Sequence, residues 1–110
     1  MVLAVVLCLR PVRRVVVSGD SMRPTLEPGD RLLVVRGPVR VGGLVAFTDP
    51  REPGRTLVKR VTARGAHDVE VRGDNSVAST DSRHFGPVPD DDVRGRPVYR
   101  YLPEYRRGRL

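Results

Sequence analysis

Residues 44–63 read LVAFTDPREPGRTLVKRVTA. Two runs rich in Val, Leu, Thr and Phe flank a stretch of Asp, Pro, Gly and Arg, the pattern of two strands, 44–48 and 56–63, joined by a loop at 49–55. The same punctuation repeats in both directions along the chain. VRRVVVS (12–18), a turn EPGD (27–30), RLLVV (31–35) and a turn RGPV (36–39) precede it. A hairpin turn RGAHD (64–68), VEVRG (69–73), a polar loop 74–83 and RPVYRYL (96–102) follow. The only helical candidate is a single turn around PDDDV (89–93), where Pro89 and the aspartates resemble a helix start. The 110 residues, with 11 Gly and 10 Pro, therefore predict one compact, mainly β domain with little helix.

Charged residues make up 30% and hydrophobic residues 39%, a balance that folds and is not that of a disordered chain. Lys and Arg number 20 against 13 Asp and Glu, a net charge of +7 that suits an anionic membrane surface or nucleic acid. The arginines are scattered, however, apart from small concentrations at RPVRR (10–14) and YRRGRL (105–110). With few aromatics, no zinc-ligand set and no helix-turn-helix pattern, membrane association is expected and a nucleic-acid partner is not. The single cysteine, Cys8, excludes an intrachain disulfide. Asp90, Asp91 and Asp92 have no second ligand cluster beside them and read as a solvated turn. No metal or organic cofactor is expected.

Residues 1–9, MVLAVVLCL, are apolar and are stopped by Arg10 and Pro11. The run is about half of the roughly 20 residues that cross a bilayer, and it lacks the basic start and small-residue cleavage site of a signal peptide. Residues 1–11 thus stand apart from the domain at 12–110 as a membrane-touching stub, a buried first strand, or the end of a longer anchor. Arg10, Arg13 and Arg14 lie on the C-terminal side of the stub, so its insertion would hold the domain in the cytoplasm.

Chemistry concentrates at SGDSMRPTL (18–26) and at Lys59. Ser21 follows an apolar strand and precedes a proline, but a serine hydroxyl needs a base to take its proton. His67 falls in a predicted turn, and His84 follows the polar loop from where it could approach a site; neither sits in a triad pattern. A lysine serves as base when desolvation lowers its pKa. Lys59 is the only lysine, every other basic residue being an arginine. The period of two puts Leu57, Lys59 and Val61 on one strand face and Val58, Arg60 and Thr62 on the other, so apolar side chains flank the amine. Guanidinium stays protonated in proteins, which gives a lone lysine in an arginine-rich chain a role that arginine cannot fill. An ordinary lysine on an edge strand is the competing reading.

SGDSMRPTL (18–26), LVKRV (57–61) and RGDNSVASTDSRHFGPV (72–88) together resemble, in order, the type I signal peptidase family of membrane-associated serine proteases. The likeness runs from about Val15 to the end of the chain. It implies the compact β fold shared by signal peptidases and LexA-like proteins, with Ser21 as nucleophile and Lys59 as general base. It further implies that Ser79 holds the Lys59 amine, that Asp81 and Arg83 pair to fix the loop, and that Met22 packs beneath the nucleophile. Asp74 matches the opening of the third block, where a plain turn explains it equally well. The Ser21 backbone N–H would stabilise the oxyanion. Some relatives place a second donor hydroxyl two residues earlier, where this chain has Gly19. Only residues 60–72 separate Lys59 from Gly73, so the large inserted domain of many bacterial relatives is absent.

The function so implied is a serine endopeptidase that cleaves signal peptides or propeptides from an extended segment of a precursor protein. An alternative of the same chemistry is a dedicated cytoplasmic maturation protease, similar to those that process nickel superoxide dismutase. Self-cleavage as in LexA-like repressors finds no DNA-binding half and no Ala-Gly or Cys-Gly site upstream of Ser21. A non-catalytic basic module on membrane or nucleic acid is the alternative of a different class.

Overall fold

The computed structural model describes residues 12–110, and the stub expected at 1–11 lies outside them. Among the described residues there are eight strands, all paired antiparallel: β1 (Val12–Val16), β2 (Arg31–Val35), β3 (Leu44–Asp49), β4 (Glu52–Arg64), β5 (Asp68–Arg72), β6 (Val88–Pro89), β7 (Val93–Leu102) and β8 (Gly108–Arg109). They run in the order β1-β2-β7-β3-β4-β5-β6, with β8 added to β7. The mainly β reading of the sequence holds. Among the described residues no helix is long and apolar enough to cross a membrane.

Alternation explains the packing. In β1 and the residue after it Val15 and Val17 are buried while Val16 is half exposed, so the apolar run turns two side chains inward and one out. β3 and β4 are covered on both sides. Val45, Phe47, Leu57 and Val61 join Val69, Val71 and Val88 in one apolar cluster. Ala46 and Val58 join Val15, Val17, Met22, Leu26, Leu32 and Val34 in the other. Strands buried on both faces explain why the runs 44–48 and 56–63 are nearly continuous in apolar residues.

The expected loop at 49–55 is a correction. β3 runs to Asp49 and β4 starts at Glu52, so the turn itself is only Pro50 and Arg51. Asp49 closes it, its carboxylate accepting the Arg51 backbone N–H at 2.9 Å as well as the Arg51 guanidinium. A register shift between Thr48 and Asp49 absorbs Pro53, Gly54 and Arg55, and the exposed outer end of the strand tolerates proline there. The polar loop 74–83 also holds more structure than expected: a 3₁₀ turn at Ser76–Ala78 and the start of a short helix, α1 (Ser82–Phe85). The helical turn expected near Pro89 is a 3₁₀ turn at Asp90–Asp92, with Asp90 paired to Arg64.

β7 belongs to both halves of the sheet, pairing with β3 through Val93 and Gly95 and with β2 from Arg96 onward. The switch occurs at Gly95, whose φ of +146° is open to glycine. A Cβ there would collide with the Val35 carbonyl, its carbon lying only 2.8 Å away. Backbone atoms cannot rotate aside. Gly95→Ala is expected to lower the unfolding free energy by about 2–3 kcal/mol or more. Urea denaturation of the purified variant measures this, and a wild-type midpoint would contradict it.

Candidate active site

Lys59 lies on β4 with 4% of its surface exposed, on the face it shares with Leu57 and Val61. Its Nζ donates to Ser79 Oγ at 3.2 Å. Ser79 in turn donates to Asp81 Oδ2 at 2.7 Å, so the hydroxyl hydrogen is committed and its oxygen is free to accept from the amine. The Gly73 backbone N–H completes the knot, donating to Ser79 Oγ at 3.2 Å and to Asp81 Oδ2 at 3.1 Å.

Burial pushes the Lys59 amine down to about 8. The Asp81 charge opposes that fall, and the positive fields of Arg51 and Arg55 add to it. Asp81 is fully buried, and desolvation alone would raise its pKa. Hydrogen bonds from Arg83, Ser79 and the backbone N–H groups of Gly73 and Arg83 outweigh this and hold the carboxyl below its usual range. Arg83 grips it with Nε at 2.9 Å and a second nitrogen at 3.1 Å, and the same guanidinium donates to the Ser76 carbonyl at 2.8 Å. Asp81 also caps α1, accepting from the Arg83 N–H while its own N–H donates to His84 Nδ1. His84 is thereby occupied in a helix cap and does not line the cleft that holds Ser21.

Ser21 sits on the loop after β1 and lines a cleft of about 240 Å³ together with Lys59, Gly19, Leu57 and Thr80. The two residues share this cleft without a hydrogen bond between them in the described geometry. Gly19 has a left-handed φ of +74° in the turn that presents Ser21. Met22 is buried in the apolar cluster directly after Ser21, and its Sδ accepts the Asp74 N–H at 3.4 Å. The loop is clamped from the other side by Asn75, which donates its backbone N–H to the Ser21 carbonyl at 2.8 Å and its side-chain amide to the Asp20 carbonyl at 3.1 Å.

Asp74 lies outside this cleft. It accepts from Thr25 Oγ1 at 2.6 Å and from the Arg60 guanidinium at 2.7 and 3.2 Å, which lowers its pKa. One carboxylate thus ties the loop of Ser21 to the strand of Lys59. Thr25 and Arg60 were not expected at the site, although alternation already places Arg60 on the face opposite Lys59. Arg51 and Arg55 at the rim of the cleft were missed as well, because 49–55 reads as a loop.

A sequence profile of the family "Signal peptidase, peptidase S26" matches residues 1–75 and 66–102. The mitochondrial ATP-independent inner membrane protease subunit 1a of Arabidopsis thaliana is 34% identical, covering 81% of this chain and 70% of that protein. The probable signal peptidase I-1 of Synechocystis sp. is 27% identical, covering 86% and 73%. The mitochondrial inner membrane protease subunit 1 of Mus musculus is 27% identical, covering 81% and 69%. The chain therefore belongs to the signal peptidase family, peptidase S26, and is a peptidase by membership.

Proposed function

We propose that residues 12–110 form the catalytic domain of a membrane-associated serine endopeptidase that removes signal peptides or propeptides from precursor proteins through a Ser21–Lys59 dyad. The observation that carries this reading is a buried lysine amine, held by a hydroxyl and opening onto the cleft that contains a serine. The neutral amine donates an N–H to Ser79 and keeps its lone pair for the Ser21 proton.

As Ser21 Oγ attacks the peptide carbonyl carbon, its proton passes to Lys59 Nζ, and the Ser21 backbone N–H donates to the developing oxyanion. Collapse of the tetrahedral intermediate breaks the C–N bond, and the Lys59 ammonium returns the proton to the leaving amine. Lys59 then deprotonates a water, which attacks the acyl-enzyme ester and releases the acid and Ser21. Asp81 and Arg83 act through Ser79 as positioning residues. The substrate would lie extended along the edge of β1 that pairs with no strand among the described residues.

Two outcomes test the dyad. Activity on a peptide with small residues before the scissile bond should fall as pH drops through about 8, where Lys59 gains its proton. Lys59→Arg should be as inactive as Lys59→Ala and Ser21→Ala, each checked for folding by circular dichroism, because guanidinium accepts no proton. A folded Lys59→Arg protein that cleaves would remove the dyad and return attention to His84.

Ser79→Ala should lower kcat while preserving the fold, because the amine loses its orienting acceptor and Gly73 N–H retains Asp81 as a partner. Its pH profile should move as well, which loss of a purely structural contact would not cause. Wild-type turnover in this variant would remove Ser79 from the proposal.

A buried lysine also costs the fold. Its pKa is lower in the folded state than the ordinary 10.5, so the unfolded chain binds the extra proton between about 8 and 10.5. The stability contributed by this group therefore rises with pH across that window and is fully lost below it. Lys59→Met should then stabilise the protein at pH 7 by about 1–3 kcal/mol while abolishing activity. Urea denaturation reads the change, and a destabilised Lys59→Met would contradict it.

A further inference from the structure

Ser21 lines two hollows of very different size. Between β1 and β4 lies a pocket of about 20 Å³, lined by Val15, Val17, Met22 and Val58. Ser18 and Thr56 join these valines and Met22 in the lining, and the pocket is too small for more than a short side chain. Across Ser21 is the cleft of about 240 Å³ whose rim carries Arg51 and Arg55. Ser21 and Lys59 line both.

The charged groups of the cleft are not equivalent. Arg51 is neutralised by Asp49, a carboxylate with 1% of its surface exposed, and its guanidinium lies 5.8 Å from the centre of the Phe85 ring. Asp20 is matched by Arg23 at 3.3 Å. Arg55 has only a loose ion pair with Glu52, at 3.9 Å between side chains that are 46% and 68% exposed. Such a contact contributes little. Arg55 therefore leaves a positive charge with no firm partner among the described residues, and it lines the cleft beside Leu57 and Lys59.

We infer, resting on the Ser21–Lys59 reading, that Arg55 is a specificity-determining residue which selects precursor segments bearing Asp or Glu within the first few positions after the scissile bond. The small pocket beside β1 suits the short side chains on the acyl side of the cut. The leaving side then passes into the arginine-rimmed cleft. An acidic side chain there is attracted to Arg55, whereas a basic one is repelled by it.

The test measures kcat/KM for peptides identical except for Glu, Gln or Lys at one of the first three positions after the cut. Wild type should favour Glu over Gln by roughly two- to fivefold at low salt, with Lys slowest, and the order should collapse as salt is added. Arg55→Gln should flatten the order and Arg55→Glu should invert it. Because Arg55 also lowers the Lys59 pKa, the readout is the ratio between peptides within one enzyme at one pH, which cancels any change in the base. Equal kcat/KM for the three peptides in wild type, or an unchanged order in Arg55→Glu, overturns the inference and leaves the dyad standing. Cleavage that persists in Lys59→Arg overturns the dyad and the inference together.

Discussion

An amine kept out of water without a carboxylate in direct contact is the constraint around which this molecule is arranged. Lys59 is nearly fully buried, and the hydrogen bond it makes among the described residues goes to a hydroxyl. A free carboxylate beside it would pin its proton and raise its pKa. Two buried carboxylates do act on it at a distance, Asp81 and Asp49, and each is bound by an arginine, Arg83 and Arg51 respectively. The guanidiniums hold the negative charge that would otherwise keep the lysine protonated. A chain that uses arginine everywhere except at position 59 is the sequence expression of that division.

The same pairing rule orders the rest of the structure. Asp30, with 1% of its surface exposed, is held by Arg100 at 3.2 Å and Arg106 at 2.9 Å, and it accepts the Glu27 N–H at 2.9 Å. Arg100 also donates to the Thr25 carbonyl, and Thr25 Oγ1 donates to Asp74, which binds Arg60. A run of charge-assisted contacts therefore links the 3₁₀ turn at Glu104–Arg106 to the loop after Ser21 and then to the strand of Lys59. Buried ion pairs add little net stability over a well-packed apolar core, but losing one partner leaves an uncompensated charge. Their effect here is to fix which segments lie beside the cleft.

The strands were legible because burial on both faces leaves continuous apolar runs and the turns carry their own residues. All of the long strands fall within a few residues of where alternation and Gly/Pro punctuation put them. The members of the candidate site stand out in the sequence, as the run around Ser21, the lone Lys59 and the block at 72–88, but the connections among them do not. Asp74 reads as a turn residue, and nothing in its neighbours announces that Thr25 and Arg60 converge on it from segments far apart in the chain. Reading 49–55 as a loop stopped the alternation at the wrong residue. The strands in fact run on to a two-residue turn, and Arg51 and Arg55 of that stretch line the cleft.

Strength of contact is not what sets the distance between the loop of Ser21 and the hydroxyl that holds the amine. Gly73 stands between them: a Cβ there would lie 2.5 Å from the Ser21 carbonyl oxygen and would collide with Ser79 Oγ. Its N–H reaches Ser79 and Asp81, and the next residues hold Met22 and the Ser21 carbonyl through their own backbone N–H groups. Backbone approach from three directions is feasible only where no side chain intervenes. The strand supplies a rigid position for Lys59, the helix cap at Asp81 supplies one for Ser79, and the missing side chain at 73 lets the loop of Ser21 close down onto both. Precision at the cleft thus comes from an absent side chain, since a methyl at 73 would meet the Ser21 carbonyl and Ser79 Oγ together.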